Sequence, residues 1–476
     1  MRPVVTVEEM RAADEAARTA VPEAELIRRA GTAVAHQALS MLDGAYGRRV
    51  TVLAGKGNNG ADGRVAAAVL TRRGARVRVL EAGVADLAPC DLVIDAAYGT
   101  GFRGTFEAPA MASGQPVLAV DIPSGIDGDT GASGGRPMAA RRTVTFAALK
   151  PGLLQGDGPG YAGQVVTADI GIAVGSHDVG LVEDVDVAAL VARRPHGTNK
   201  WKTAVAVVAG SPGMEGAAAL CAHGAARAGA GMVRLAVPGS ARPGGDVLAG
   251  PWPIEAVRLP LPAEGWADEV LSVLGRCRCL VVGPGLGRGA DTVAQVRRLV
   301  ARSPVPVVAD ADALFALGRA VEAAPVVAGE GVARRVVLTP HDGEYERLMG
   351  EAPGPDRIAA ARRLATATGA ASLLKGPLTA VADPGPPGPV PRVWLSDAGS
   401  PRLATAGTGD VLSGVIGAFL ARGVADWAAP ALGAHVHGRA AGAGSPEGLV
   451  APDLPDLVAG VLSRIVGDAE PSGPDG

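Results

Sequence analysis

Short apolar runs recur along the chain, and each is followed by a turn and then by a longer stretch whose apolar positions repeat at helical spacing. An Ala-rich segment with that spacing covers residues 7 to 42. RRVTVLAG then reads as a strand, a glycine-rich turn follows, and DGRVAAAVLTRRG reads as the helix leading to the next strand, RVRVLEAG. DLVIDAAYG, PVLAVDIPSG and RTVTFAAL continue the series, separated by segments long enough for crossover helices. Alternation of this kind builds a parallel sheet covered on both faces. Residues 176 to 200 turn irregular and polar, which places the domain boundary there.

A second series opens at TAVAVVAGS and runs through GMVRLAV, CLVVGPGLG, PVVADADAL, RVVLTPH and SLLKG. It finishes in the turn AGTGD and the apolar helix VLSGVIGAFLARG. Residues 382 to 392, ADPGPPGPVPR, read as a mobile loop or hairpin, and EPSGPDG at the end as a disordered tail.

The 476 residues suffice for two or three domains, and the 68 glycines and 37 prolines fall within regular apolar segments, so the chain is globular. A formal charge of −3 offers no long-range attraction for polyanions, which excludes nucleic acid and acidic membrane as main partners and leaves small molecules. Four cysteines, Cys90, Cys221, Cys277 and Cys279, make no disulfide framework and no spaced zinc pattern. Acidic residues interrupt the N-terminus where a signal peptide needs an apolar core, and no apolar run reaches membrane length, so a cytoplasmic protein is expected.

Gly55 to Gly60 (GKGNNG) fits G-x-G-x-x-G between a predicted strand and a predicted helix. Glycines there admit a phosphate to the backbone, and the helix dipole favours an anion. Glu81 ends the next strand, where a dinucleotide fold places its ribose acid. The turn alone leaves open a plain glycine bend, an oxidoreductase, or a hard-cation site, since Asn58, Asn59 and Asp62 offer oxygen donors. Asp95 and Asp121 each end an apolar strand and emerge at the same sheet edge, unless they only cap the following turns.

GKGNNGADGR, DAAYGTGFRG, VLAVDIPSGIDGDTG and TVTFAALKPG, in this order, resemble the NAD(P)H-hydrate epimerase domain over about the first 175 residues. The resemblance implies a Rossmann-like three-layer sandwich without redox chemistry. It assigns the hydrated nicotinamide nucleotide to Asn58, Asn59, Gly60, Ala61 and Asp62 and to Gly99, Thr100, Gly101, Phe102, Arg103, Gly104 and Thr105. It assigns potassium to Asn59, Asp95 and Ser124, and acid/base work beside the substrate to Asp121. Ala61 stands where the family usually has glycine, and IRRAG (Ile27 to Gly31) where it usually reads LMERAG, which removes an acidic residue.

The second glycine turn sets the N–H groups of Gly407, Thr408 and Gly409 ahead of an apolar helix, with Asp410 in its first turn. Such a turn stabilises charge on a transferred phosphoryl group, and the aspartate is placed to take a proton from an attacking hydroxyl. A charged helix cap is the plainer alternative. GSPGMEGAAAL, VVGPGLGRG, VVADADAL, LTPHDGEYERL, LLKG and LATAGTGDVLSGVIGAFLARG resemble the ADP- or ATP-dependent NAD(P)H-hydrate dehydratase, of the ribokinase-like group, over roughly residues 195 to 465. This resemblance implies hydrate contacts at Ala217, Gly285, His341 and Asp410. It implies nucleotide contacts at Lys375, Gly376, Pro377, Leu378, Thr379, Gly407, Thr408 and Gly409, with magnesium carried on the phosphates through water.

The expectation is therefore an α/β protein of two domains: 1–190, a Rossmann-like epimerase domain, and 195–468, a ribokinase-like α/β sandwich with dehydratase activity, followed by a tail at 469–476. Small-molecule substrates and a homo-oligomer are expected. Two rivals stay open: a dinucleotide oxidoreductase fused to a small-molecule kinase, and a non-catalytic nucleotide-binding module in the N-terminal half. His435 and His437, two apart on a helix, face different ways and read as structural. Lys200 either closes over substrate or is a solvated charge, and Asp310 and Asp312 either position magnesium-bound water or order a turn.

Overall fold

The computed structural model describes residues 1–241, 252–329, 335–385 and 390–467. By internal contacts the chain forms two compact units, Arg2–Val179 and the residues from Gly180 onward together with Met1. The tail expected at 469–476 and residues 386–389 lie outside the described residues.

Six parallel strands form the sheet of the first unit, in the order Arg76–Glu81, Arg49–Ala54, Leu92–Ala96, Val117–Val120, Arg142–Phe146 and Gln164–Ala168. The strands Leu92–Ala96 and Val117–Val120 are buried at every position, as a sheet covered on both faces requires. The edge strand Arg76–Glu81 alternates arginines with apolar residues and is largely exposed, which discourages further strand pairing. On one face Val50, Val52, Ile94 and Leu118 pack against Val34, Ala38, Ala66 and Leu70 of the helices Glu23–Leu42 and Asn58–Arg72. On the other face Leu53, Val93 and Ala119 meet Leu87 and Met138 from irregular connections and Phe106 from the two-residue strand Phe106–Glu107. Pro89, Gly99, Gly101, Gly104, Pro109 and Gly114 break helical spacing in those connections, so the third layer is looped where crossover helices are expected.

The Ala-rich segment is two helices, Val7–Arg18 and Glu23–Leu42. Thr6 starts the first with a reciprocal cap to Glu9, and Pro22 stands at the break, where a proline ring suits a helix start and not an interior.

The second unit carries a mostly parallel sheet. Its strands run Val393–Ser396, Thr379–Ala382, Ala371–Leu374, Val336–Leu338, Val307–Ala309, Cys279–Val282, Ala204–Val208, Met232–Val237 and Val257–Pro260. The first two junctions are antiparallel and the others parallel. The loop at 382–392 thus connects an antiparallel pair. The region read as irregular, 176–200, contains the strand Val179–Leu181 and the helix Asp184–Leu190. That helix is held within the second unit, where Asp184 receives His435 at 2.8 Å and Arg439 at 2.9 Å.

The helix Thr408–Ala421 is buried from Val411 to Ala421 and packs on the helix Glu215–Arg227. Glycines set the spacing: a Cβ on Gly414 would lie 2.1 Å from Cys221 O, and one on Gly224 would lie 2.4 Å from Val411 O. Backbone contact this close fixes the height of the helix start, and with it Asp410, against the sheet edge. Among the described residues no helix is long and apolar enough to cross a membrane. All four cysteines are free.

Candidate active sites

In the first unit, strand order reverses at Arg49–Ala54, whose neighbours are the next strand on one side and Leu92–Ala96 on the other. Ligands bind in the crevice at such a switch point, beyond the carboxyl ends of the strands. A cavity of about 980 Å³ opens there, lined by Asn58, Asn59 and Asp62, by Gly99 to Arg103, and by Asp121. Gly60, Ala61, Gly104 and Thr105 are not among its lining residues. Gly60 serves the turn itself, because a Cβ there would lie 2.0 Å from Gly55 O. Ala61 starts the helix regularly, its N–H reaching Gly57 O at 3.1 Å, so the alanine costs the turn nothing.

Asp121 sits at the centre of this cavity in a strained conformation, φ 66°, which non-glycine residues seldom adopt. Its N–H donates to Val144 O at 2.6 Å, and its Oδ1 receives Lys150 Nζ at 2.6 Å and Thr145 Oγ1 at 3.1 Å. Lys150 also donates to Thr145 Oγ1 and Phe146 O. Sequence reasoning gave Lys150 no role, although a lysine inside the apolar stretch TVTFAALKPG was the available signal. Burial, followed by the charges of Asp121 and Asp14, pushes Asp62 up to about 8. The cavity therefore presents a protonated carboxyl and a lysine-paired carboxylate, the division of labour that acid/base chemistry needs.

Asp95 and Ser124 lie behind the cavity wall. Asp95 is wholly buried and accepts Ser124 N at 2.9 Å, Ser124 Oγ at 2.6 Å and Ala97 N at 3.3 Å. Burial raises its pKa, and those neutral donors only partly offset the effect. Nearby, the buried side-chain Nδ2 of Asn59 has no hydrogen-bond partner, while Oδ1 lies 3.4 Å from where a Gly99 Cβ would stand. The carboxylate of Asp95, the hydroxyl of Ser124 and the amide oxygen of Asn59 are donor types that suit a hard cation, whereas the unpartnered Asn59 Nδ2 is a hydrogen-bond donor and calls for an acceptor.

Two features of the sequence resolve differently from their simplest readings. Glu81 lines the cavity, yet its carboxylate is held by Arg64 at 2.7 Å, and the same guanidinium donates to Gly55 O. Arg28, at the position of the missing acidic residue, pairs with Glu25 on the exposed side, whereas Leu26, Ile27 and Ala30 line the cavity. The departure therefore falls outside the cavity wall.

In the second unit the reversal lies between Ala204–Val208 and Cys279–Val282. Their following turns interlock: Gly210 N donates to Pro284 O at 2.7 Å, and Ser211 Oγ to Gly285 O at 2.8 Å. Gly285, at φ 63°, is so close to Ala217 that a Cβ would stand 2.9 Å from the alanine's. These two predicted hydrate contacts are thus direct neighbours. Gly407 begins the helix Thr408–Ala421 at φ 90°. Thr408 is committed inward: its hydroxyl donates to Leu403 O at 2.8 Å and its N–H points toward Thr405 O at 3.4 Å. Of the three amides expected to face an anion, those of Gly407 and Gly409 have no backbone partner among the described residues.

Lys375 Nζ stands 3.5 Å from where a Gly409 Cβ would be. It donates to Asp310 Oδ1 at 2.5 Å, and Ser413 Oγ donates to Asp310 Oδ2 at 2.7 Å. Burial, then the charge of Asp310, raises Asp410 to about 7, with Lys375 pulling the other way. Arg357 grips the loop after Lys375 through Lys375 O and Leu378 O and pairs with Asp342 at 3.0 Å. His341 caps the helix Asp342–Met349, accepting Gly343 N at 3.1 Å, and leaves an exposed imidazole edge.

Asp312 accepts Gly287 N at 2.9 Å and Arg288 Nε at 2.8 Å, so both aspartates after the strand Val307–Ala309 order their surroundings through protein donors. His435 and His437 do face different ways: the first meets Asp184, whereas the second is buried and hydrogen-bonded to the Thr408 backbone. Burial lowers His437 to about 4, so the imidazole behind the glycine turn is neutral, and its Nε2 is unpartnered. The sequence carried no signal for this placement. Lys200 is exposed, 5.9 Å from the Trp201 ring centre.

The family described as NAD(P)H-hydrate dehydratase matches residues 205–459, and the family described as YjeF-related protein N-terminus matches 23–87 and 81–152. The bifunctional NAD(P)H-hydrate repair enzyme Nnr of Mycobacterium tuberculosis is 39% identical over 456 residues, covering 89% of this chain and 90% of the relative. That of Moorella thermoacetica is 33% identical over 530 residues, covering 98% of each. A ribokinase-like superfamily protein from Enterococcus faecalis superposes with a TM-score of 0.50 at 18% identity, covering 62% of this chain and 98% of its own, which speaks to fold alone. With an epimerase-type half and a dehydratase-type half both matched along nearly its whole length, the chain belongs to the bifunctional NAD(P)H-hydrate repair enzyme family.

Proposed function

We propose that the N-terminal unit interconverts the R and S hydrates of NADH or NADPH and that the C-terminal unit dehydrates the S hydrate at the expense of ADP or ATP. One observation supports the reading: Asp121 lines the cavity of the first unit, and in the second unit Asp410 feels Asp310 and Lys375, which follow strands of that unit's own sheet.

Epimerisation at C6 of the hydrated ring needs no hydride acceptor. It needs protons exchanged while the hydroxyl leaves and returns or the ring opens and closes. Asp121 takes and returns that proton, with Lys150 holding its carboxylate and Asp62 offering the complementary protonated carboxyl. Asn58 to Asp62 and Gly99 to Thr105 bind the nucleotide. Asn59, Asp95 and Ser124 would hold a potassium ion, whose positive charge would favour a developing oxyanion. The oxygen donors of Asp95, Ser124 and Asn59 support that assignment.

Hydroxide leaves the ring poorly at neutral pH, whereas a phosphate ester leaves once the ring nitrogen pushes its lone pair toward C6. Asp410 takes the proton from the hydrate's hydroxyl as the phosphoryl group arrives. The Gly407 and Gly409 amides and the Lys375 ammonium receive the phosphate charge. The segment Lys375 to Thr379 seats the nucleotide, and Ala217, Gly285 and His341 seat the hydrate. Magnesium would neutralise charge on the nucleotide phosphates; Asp310 and Asp312 are committed to protein donors, so neither is assigned to hold it. Free cysteines, three of them buried, suit a reducing compartment, and we assign the protein to the cytoplasm.

The test is incubation with hydrated NADH and ADP: the reduced-nicotinamide absorbance recovers without net oxidation. Asp410→Asn abolishes recovery and leaves R to S conversion, and Asp121→Asn does the reverse. Joint loss in either folded variant would contradict the division of labour.

A further inference from the structure

Three segments distant in sequence meet at one buried carboxylate. Asp310 follows the strand Val307–Ala309 and is 1% exposed. Its Oδ1 accepts Lys375 Nζ at 2.5 Å from the end of Ala371–Leu374, and its Oδ2 accepts Ser413 Oγ at 2.7 Å from the helix that begins at the glycine turn. Ser413 is wholly buried and also stands 3.1 Å from Gly409 O. We propose that Asp310 is a positioning residue of the nucleotide-dependent site: by clamping Lys375 with one oxygen and Ser413 with the other, it fixes the ammonium over Gly409 and holds the helix start carrying Asp410 in register with it.

The inference rests on the reading of this unit as a nucleotide-dependent dehydratase, and adds a residue that touches neither substrate. An unclamped lysine has a flexible four-carbon stem and samples many positions, whereas phosphate transfer needs charge set in place beforehand. Asp310 supplies that order, and its own charge cancels that of Lys375 until a phosphate arrives. The groups acting on Asp410 are Asp310, Lys375, Asp312 and Glu344, and the Cys221 thiol lies close enough to feel Asp410 in turn. Asp312 is already paired with Arg288, Glu344 caps its helix beside His341, and burial and then the charge of Lys375 keep His437 neutral. Asp310 is therefore the carboxylate whose removal changes both the position of Lys375 and the charge felt by Asp410.

Asp310→Asn keeps the shape and removes the charge. Calorimetry without hydrate shows ADP affinity falling by about threefold or more, and the acid limb of kcat/KM for the S hydrate moves down by about half a pH unit or more. Asp310→Glu returns the limb toward its original position. Ser413→Ala leaves every charge in place, so it lowers ADP affinity and kcat by about threefold while the limb stays put. A folded Asp310→Asn chain with unchanged affinity and limb overturns the proposal, and so does a Ser413→Ala chain with unchanged affinity and kcat, which decides the matter if Asp310→Asn does not fold. A wild-type chain that binds ADP but dehydrates no hydrate overturns the functional reading instead, and the ADP comparison still decides the role of Asp310.

Discussion

Lys150 reaches Asp121 at 2.6 Å from a side chain that is 1% exposed, while the carboxylate it holds lines the cavity. A buried ammonium without its partner is costly, and so is the partner without it; breaking such a pair costs about 3–5 kcal/mol. The two residues therefore act as a unit. The lysine holds the Asp121 carboxylate in place on a residue of left-handed backbone conformation.

Lys150→Met tests this. The apolar chain fills the same space, so the fold persists at reduced stability. R to S conversion drops by about 100-fold or more, equivalent to about 2.7 kcal/mol of barrier. Dehydration of purified S hydrate continues at the wild-type rate. A variant that retains epimerisation would separate Lys150 from the chemistry and leave it a purely structural ion.

The glycine turn yields a contrasting pair. Gly60→Ala places a methyl 2.0 Å from Gly55 O, which forces apart the backbone crossing that shapes the cavity floor. The expected outcome is a loss of about 3 kcal/mol or more and no epimerisation, read by thermal unfolding and by hydrate chromatography. Ala61→Gly restores the usual family residue in a regular helical turn, so it costs only about 1 kcal/mol and leaves the rate intact. Loss of activity in Ala61→Gly would mean that the alanine methyl contacts substrate.

Much of this arrangement was legible beforehand, because strand-end carboxylates and glycine turns are local signals. Asp95, Asp121 and the GKGNNG turn follow apolar runs, and a parallel sheet brings such ends together whatever lies between. What was illegible arises from packing over long distances. Nothing near Lys150 in sequence names Asp121 as its partner, and His437 reaches Thr408 only because two buried helices pass closely. The weak edge strand VRLP and the half-buried QVVTA lacked the strong apolar runs that marked the inner strands. The short helix Asp184–Leu190 was masked by its acidic composition, which in the structure supplies its reciprocal cap through Glu183 and Asp186.

Potassium dependence should follow the Asp95–Ser124 pair. Ser124→Ala removes a hydroxyl that donates to Asp95 at 2.6 Å and also removes a proposed cation ligand. Epimerisation then requires roughly tenfold more potassium for half-saturation, as loss of one supporting ligand commonly weakens a metal site about 10–100-fold. Dehydration by the other unit does not change. An epimerase rate that is the same in potassium, in sodium and in the variant would remove the cation from the scheme.

Asp410 couples activity and stability with opposite signs. Its carboxyl moves from an ordinary 3.8 to about 7, chiefly through burial and then through the charge of Asp310. The folded chain thus holds this proton more tightly than the unfolded chain does, so ionising Asp410 weakens the fold as pH rises from about 4 to about 7. Asp410→Asn cannot ionise. Its melting temperature should match wild type near pH 4, exceed it increasingly through pH 7, and stay above it at pH 8. The dehydration rate runs the other way: in wild type it climbs through pH 7 as the base form appears, and in Asp410→Asn it is lost throughout. A single substitution that stabilises the protein at the pH where it destroys the reaction is the signature expected of a carboxylate kept strained for catalysis. Equal melting temperatures at pH 8 would show that Asp410 ionises without penalty and is not the buried base described here.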